Sequence, residues 1–167
     1  MKQGYQKSIN DMKRDMGFTL IEAVISVAVV SVVLMSVAGI STFLSKASFE
    51  NTAKIQAAFL AEEGLEVMRI LRDDDWTTNI ASQSAGVPFF LIFNSGSWQK
   101  TTEVFLIDGV FERSVVLTDV YRDGSFDIVS SGGTLDPNTK KFTVSVSWFS
   151  GGATTTRSLS TYLAKLQ

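Results

Sequence analysis

The stretch "MGFTLIEAVISVAVV", Met16–Val30, opens an apolar run that contains a single acid, Glu22, and follows a glycine, Gly17. No charged residue occurs from Ala23 to Ser45. A helix needs about 20 apolar residues to cross the hydrocarbon core of a bilayer. The length and composition of this run therefore predict a helix that can span a membrane.

The charges before the apolar run predict its orientation. Four basic residues precede it against two acids, namely Lys2, Lys7, Lys13 and Arg14 against Asp11 and Asp15. Positive charge beside a membrane helix stays on the cytoplasmic side. We therefore expect a cytoplasmic N-terminus and an extracytoplasmic remainder.

The composition narrows the classes of function. The chain has 167 residues, a formal net charge of -2, no cysteine and no histidine. The lack of cysteine excludes disulfides, thiol catalysis and thiolate metal sites. The lack of histidine removes the commonest general base and metal ligand, and no basic excess marks a nucleic-acid surface. We expect no enzyme activity, cofactor, metal or nucleic-acid partner.

The residues after Ser45 are amphipathic rather than apolar. Small and apolar side chains recur every three or four residues, which is typical of one buried helical face: Ala53, Ala57, Leu60, Gly64, Met68 and Leu71. No proline interrupts residues 18–72. We predict one helix from about Phe18 to about Arg72, ended by Asp73–Asp75, whose charges oppose the helix dipole.

The region 76–167 is predicted to be a β-rich head. The segment "KFTVSVSWF" (141–149) alternates with Phe142, Val144, Val146 and Trp148 on one face, and a turn at Gly151–Gly152 joins it to a further strand. The segment "VFERSVVLTDV" (110–120) places Phe111, Arg113, Val115 and Leu117 on one face.

Three further segments complete the predicted head. The runs "VPFFLIF" (87–93) and "TTEVFLI" (101–107) are expected as shorter strands, with Pro88 at an edge or entry position. Residues 130–138, "SSGGTLDPN", are expected as a loop. The predicted fold class is α+β, in which the long helix packs on a small antiparallel sheet.

The N-terminus resembles that of type IV pilins and pilin-like proteins. The features that carry the resemblance are a basic leader ending in Gly17, the aromatic Phe18, the run Thr19-Leu20-Ile21-Glu22 and the apolar helix behind it. Residues 57–76 and the closing strand pair are similar to segments of minor pilins of the type IV and type II secretion class. The resemblance implies four parts: a leader (1–17), an apolar helix (18–45), its amphipathic continuation (46–75) and a head (76–167).

The resemblance also implies processing and assembly. A prepilin peptidase is expected to cut between Gly17 and Phe18 and to methylate the new Phe18 amine. Glu22 is expected to meet that amine on a neighbouring subunit and so to set the register between subunits, because an unpaired buried charge costs several kcal/mol.

The implied partners and location follow from that assembly. The partners are the prepilin peptidase, other pilin subunits, an inner-membrane assembly platform and the lipid bilayer before assembly. The expected location is the cytoplasmic membrane, with an extracytoplasmic head, and then a surface pilus or periplasmic filament.

Two departures from many major pilins bear on the type of subunit. The first helix contains Gly39 where many major pilins have a helix-breaking proline, and no cysteine pair stands near the C-terminus. These departures favour a minor pilin or pseudopilin over a major subunit. They leave open whether the helix melts near Gly39 on assembly.

Other interpretations remain open on the sequence alone. The chain could be a membrane-anchored extracytoplasmic binding or sensor domain that does not polymerise, or a secreted protein cut after Ala38. Two sets of acids, Asp73–Asp75 and Asp119, Asp123 and Asp127, suggest calcium, but the second set lacks the EF-hand spacing, so a solvated turn is favoured. The three tryptophans, Trp76, Trp98 and Trp148, could line a ligand groove, but core positions are favoured.

Overall fold

The computed structural model of the chain describes residues 19–166. One long helix, α1 (Leu20–Asp74), precedes a seven-stranded antiparallel sheet. The predicted α+β class, with a long N-terminal helix and an antiparallel sheet, is therefore confirmed. The chain forms two compact units, with the boundary between Ala47 and Ser48.

The sheet lies in the second unit, which also contains the helix from Ser48 onward. Five strands are hydrogen-bonded in the order β2-β1-β4-β6-β7, while β3 and β5 pair with the two ends of β4. The strand bounds are β1 (Pro88–Asn94), β2 (Ser97–Thr101), β3 (Leu106–Ile107), β4 (Phe111–Arg122), β5 (Ile128–Val129), β6 (Thr134–Ser150) and β7 (Ala153–Ala164). Pro88 begins β1, as expected of an entry position.

The end of α1 is set by Asp75. The helix continues to Asp74, and a π-helical turn (Thr77–Ala81) follows. The Asp75 carboxylate accepts hydrogen bonds from the Thr78 hydroxyl and from the backbone amides of Thr77 and Thr78. These bonds hold the pKa of Asp75 below its usual range, with the Thr78 hydroxyl contributing most. Asp75 therefore starts the next turn, in addition to opposing the helix dipole.

The core of the second unit lies between α1 and one face of the sheet. The alternation predicted for β4 and β6 is confirmed, because the residues predicted to share a face are buried in both strands. The helix contributes Ala57, Ala61, Gly64, Val67, Met68 and Leu71 as its buried residues. Small residues in this stripe let the helix backbone approach the sheet closely.

Gly64 marks the closest approach of helix and sheet. A Cβ atom at this position would lie 2.7 Å from Cγ1 of Val144 and 3.1 Å from Cδ of Arg113. Neither atom belongs to α1, so the contact depends on the docking of β4 and β6. Helical spacing alone placed Gly64 on the buried face of the helix, and the packing of the helix on the sheet explains why this residue is a glycine.

Arg113 is a buried charge beneath the helix. Its Nη1 donates a hydrogen bond to the Leu60 carbonyl at 3.2 Å and another to the Glu63 carboxylate. Its guanidinium also lies over the Trp98 ring, with Cζ 5.3 Å from the centroid. A buried charge is tolerated when it is paired and hydrogen-bonded. Arg113 therefore connects α1, β4 and β2.

Two sequence predictions about the head are wrong. Residues 130–138 are not all loop, because β6 begins at Thr134 and pairs with β4 across a register shift next to Val120. Pro137 lies in that irregular stretch, where a missing N–H is tolerated. The segment 101–107 is not one strand, since the chain turns after Thr101, whose hydroxyl accepts the Glu103 amide, before forming the short β3.

We predict that Gly64→Ala destabilises the protein. Alanine favours a helix by about 1 kcal/mol over glycine, but overpacking against Val144 costs about 1–3 kcal/mol. We expect a net loss in the free energy of unfolding, measured in guanidinium chloride from tryptophan fluorescence. Gly124→Ala, where no atom lies within 4 Å of the new Cβ, is the matched control.

The source of this loss can be tested with Val144→Ala. If the clash is the cause, the losses of Gly64→Ala and Val144→Ala combine less than additively in the double variant. A Gly64→Ala chain as stable as the unmodified protein would contradict the close-packing account.

Candidate functional site

The candidate site is the N-terminal motif and the apolar helix that follows it. Gly17 and Phe18, the predicted cleavage and methylation positions, lie outside the described residues. Thr19 and all of α1, including Glu22, lie within them. The cut between Gly17 and Phe18, the methylation of Phe18 and its pairing with Glu22 therefore stay predictions.

Thr19 and Glu22 form a helix cap. The Thr19 hydroxyl accepts a hydrogen bond from the Glu22 amide at 3.3 Å, and the Thr19 carbonyl accepts one from the Ala23 amide at 3.1 Å. This is the geometry of an N-cap residue. The spacing Thr-x-x-Glu is also the signature of a capping box. The helix thus starts directly behind the predicted cleavage point.

This capping role was missed at the sequence level, although the spacing signals it. An acid in the first turn is favourable beside the positive end of the helix dipole. Glu22 therefore has a local reason to stand in the motif as well as the predicted intersubunit one. The cap uses the Glu22 amide, so it does not occupy the carboxylate.

The Glu22 side chain is exposed and so is the apolar surface behind it. From Thr19 to Lys46 every described residue is exposed, apart from the half-buried Ser31. Among residues 19–166, no Lys or Arg forms an ion pair with Glu22. The part of the chain that the structure describes thus provides neither a cation for this acid nor a cover for this helix.

The hydroxyl groups in the apolar segment are bonded within the helix. Each donates to the carbonyl four residues earlier, at 2.7–3.0 Å, in five cases: Ser31, Ser36, Ser41, Thr42 and Ser45. Such back-bonding satisfies a hydroxyl without a partner outside the helix. It suits a helix that lies in lipid or among other apolar helices, where unbonded polar groups are costly.

The helix has the length and composition of a membrane span. Its apolar window has no buried residue, and it is the one helix of this kind among residues 19–166. It runs without a break through Gly39, where a Cβ would meet no atom within 4 Å. Residues 19–166 leave this surface uncovered, which suits an external apolar environment such as lipid or other apolar helices.

The acids considered for calcium make local contacts instead. Asp119 pairs with Lys140, and the Asp123 carboxylate accepts the backbone amides of Ser125 and Asp127. These bonds build the turn between β4 and β5. No group of three or more candidate metal-binding side chains occurs among the described residues.

The tryptophans belong largely to the core. Trp76 and Trp148 are buried in it, as predicted. Trp98 is partly buried, packs against the same core and lies beneath the Arg113 guanidinium.

We predict that Thr19→Ala weakens the start of the helix. Loss of an N-cap hydroxyl costs about 1 kcal/mol, so amide hydrogen exchange at Glu22 should accelerate by roughly fivefold in the micelle-bound chain. Thr19→Ser retains the hydroxyl and is the matched control. Equal exchange in the alanine and serine variants would contradict the capping assignment.

Comparison with known proteins identifies the N-terminal segment. Residues 12–38 match the family model described as the prokaryotic N-terminal methylation motif. Searches of curated proteins and of solved structures found no match to the chain. The motif, the long apolar helix directly behind it and the antiparallel sheet together support a type IV pilin-like protein.

Proposed function

We propose that the chain is a structural subunit of a type IV pilus or a related filament, as a minor pilin or pseudopilin. A prepilin peptidase cuts it between Gly17 and Phe18 and methylates the new amine, and the apolar helix then carries it into the filament. The observation that carries this proposal is the methylation motif at residues 12–38, which overlaps an exposed helical segment that has no charge between Glu22 and Lys46.

The apolar helix supplies the association energy. Burial of apolar surface contributes about 25 cal/mol per Å², and the side chains between Ala23 and Ser45 are available for it. This term has no direction, so it does not by itself select one stagger between neighbouring helices. The register needs a directional contact.

The Glu22 carboxylate supplies that direction. Its partner is the amine that cleavage creates at Phe18 on an adjoining subunit. Inside a helical bundle an unpaired member of such a pair costs several kcal/mol, whereas the satisfied pair adds little net stability. The pair therefore disfavours any axial offset between neighbouring helices that leaves either charge unpaired. Because the contact joins different surfaces of two subunits, it repeats without closing and produces a filament.

The first prediction concerns the mature N-terminus. Mass spectrometry of the protein from cells with an active prepilin peptidase should find a chain that begins at N-methylated Phe18. Cells with an inactive peptidase provide the control and should retain Met1. An N-terminus near Gly39 would instead indicate a secreted protein, and an intact Met1 in both cells would indicate a plain anchor.

The second prediction separates the charge of Glu22 from the helix cap, which uses its backbone amide. Glutamine has nearly the shape of glutamate and leaves the amide that the cap uses in place, but it carries no charge. Glu22→Gln should therefore keep processing and the helix start intact while it sharply reduces incorporation into filaments. Immunoblots of sheared filament and membrane fractions measure the distribution.

Two further variants frame this result. Glu22→Asp retains the charge and should be incorporated better than Glu22→Gln, while Glu22→Ala should resemble Glu22→Gln, because the cap uses the backbone amide of residue 22. Normal incorporation of Glu22→Gln would exclude the pairing. Absence of the unmodified chain from the filament fraction would instead favour the alternative of an anchored domain that does not polymerise.

A further inference from the structure

The main path of the sheet ends in two edge strands that differ in protection. β2, at one edge, has five residues and contains Lys100. β7, at the other edge, has 12 residues, contains no proline and one charged residue, Arg157, and pairs with β6 without a register shift. Proteins commonly protect an edge with a short strand, lysine, proline or a bulge, because its unpaired backbone groups can bind another strand. Among residues 19–166, β7 is therefore an unprotected edge.

The hairpin between β6 and β7 shows which backbone groups of β7 face outward. Its two-residue turn, Gly151–Gly152, has φ angles of 63° and 88°, as in a type I′ turn. Ser150 and Ala153 therefore form a hydrogen-bonded pair, and such pairs recur at every second residue of an antiparallel ladder. The bond from the Lys165 amide to the Asn138 carbonyl, 2.8 Å long, lies in the same phase. The residues in between direct their amides and carbonyls away from β6, namely Thr154, Thr156, Ser158, Ser160 and Tyr162.

Hydroxyl groups of β7 already form cross-strand pairs with β6. Three pairs have oxygen–oxygen distances of 2.8–2.9 Å, namely Thr143–Ser160, Ser145–Ser158 and Ser147–Thr156. Opposed hydroxyl side chains of this kind stabilise antiparallel strands. A hydroxyl has one hydrogen to donate and two lone pairs that accept. The hydroxyls of β7 can therefore each bond to a further hydroxyl on a strand added at the free edge.

We propose that β7 pairs edge to edge with β7 of a second copy of the chain, antiparallel and with a two-fold axis at Ser158. Ser158 then lies opposite Ser158 of the second copy, and Thr156 lies opposite Ser160. The hydroxyl pairs found between β6 and β7 are thereby repeated across the axis. The outward amides and carbonyls of the two strands bond to each other, which is how an extended segment adds to an exposed sheet edge.

The side chains of β7 select this axis over its neighbours. An axis at Arg157 would place two positive charges directly opposite each other, which is unfavourable. With the axis at Ser158, Arg157 lies opposite Leu159 instead. An axis at Leu159 would oppose Thr156 to Tyr162 rather than to a second short hydroxyl side chain. The strand is therefore most complementary to itself about Ser158.

This contact goes beyond the proposed assembly through the apolar helix. A two-fold contact uses the same surface on both chains and closes on two of them, whereas a filament needs a contact between different surfaces. The β7 pairing therefore joins two heads and does not extend a filament. It involves neither cleavage at Phe18 nor the Glu22 carboxylate, so it is tested independently of them.

Disulfide formation tests the register, because the chain has no cysteine of its own. Oxidation of the full-length Ser158→Cys chain in detergent micelles should give a linked dimer, since directly opposed Cα atoms of a hydrogen-bonded pair lie about 5.5 Å apart, within the range that a disulfide spans. Ser160→Cys is the matched control on the same exposed face. Its two copies would lie about 14 Å apart along the paired strands, so no dimer band is expected. Equal dimer bands from both variants, or none from Ser158→Cys, would overturn the proposal.

A second experiment tests the backbone pairing. Thr156→Cys and Ser160→Cys chains should form a linked dimer when mixed and not when oxidised separately. Ser158→Pro, added to both chains, removes an amide that faces the free edge, where proline is tolerated. Circular dichroism should show an intact fold, while the dimer band should be lost. Ser158→Ala keeps the amide and should keep the band. Dimer bands of equal strength in the proline and alanine variants would overturn the proposal.

Discussion

The apolar helix surface between Ala23 and Ser45 is the constraint on which the rest of this protein depends. No charge interrupts it, and the described part of the chain, residues 19–166, leaves it exposed. Such a surface must lie in lipid or against other apolar helices. Its hydroxyl groups donate hydrogen bonds within the helix, so the segment can be buried in either environment without leaving them unbonded. In the proposed function, the helix leaves the lipid bilayer and packs against the apolar helices of other subunits.

The head is held to the same helix by contacts of a different kind. Gly64 lets the backbone of α1 come close to Val144, and Arg113 joins the helix to two strands through Glu63 and Trp98. These contacts require a specific geometry, whereas burial of the apolar segment does not. The first part of the helix can therefore be buried in lipid or in protein, while the second part keeps its contacts with the sheet.

The sequence allowed most local structure to be predicted, because helical and strand periodicities depend on near neighbours. The buried faces of β4 and β6 and the helical stripe were recovered in this way. The start of β6 at Thr134 was missed, since its pairing with β4 depends on a distant register and a bulge. The role of Arg113 was missed because Glu63 lies 50 residues away. The Thr19–Glu22 cap could have been predicted from the Thr-x-x-Glu spacing. The proposed pairing of Phe18 with Glu22 involves two subunits, so the structure of one chain does not test it.

The exchange of lipid for protein around the apolar helix can be measured directly by photocrosslinking from Phe43, an exposed aromatic residue of that segment. Benzoylphenylalanine at this position keeps the aromatic character and reacts with its nearest neighbours. The account predicts crosslinks to lipid in cells that lack prepilin peptidase, and crosslinks to another processed subunit in cells that contain it. Crosslinks to lipid alone in both cells would contradict it.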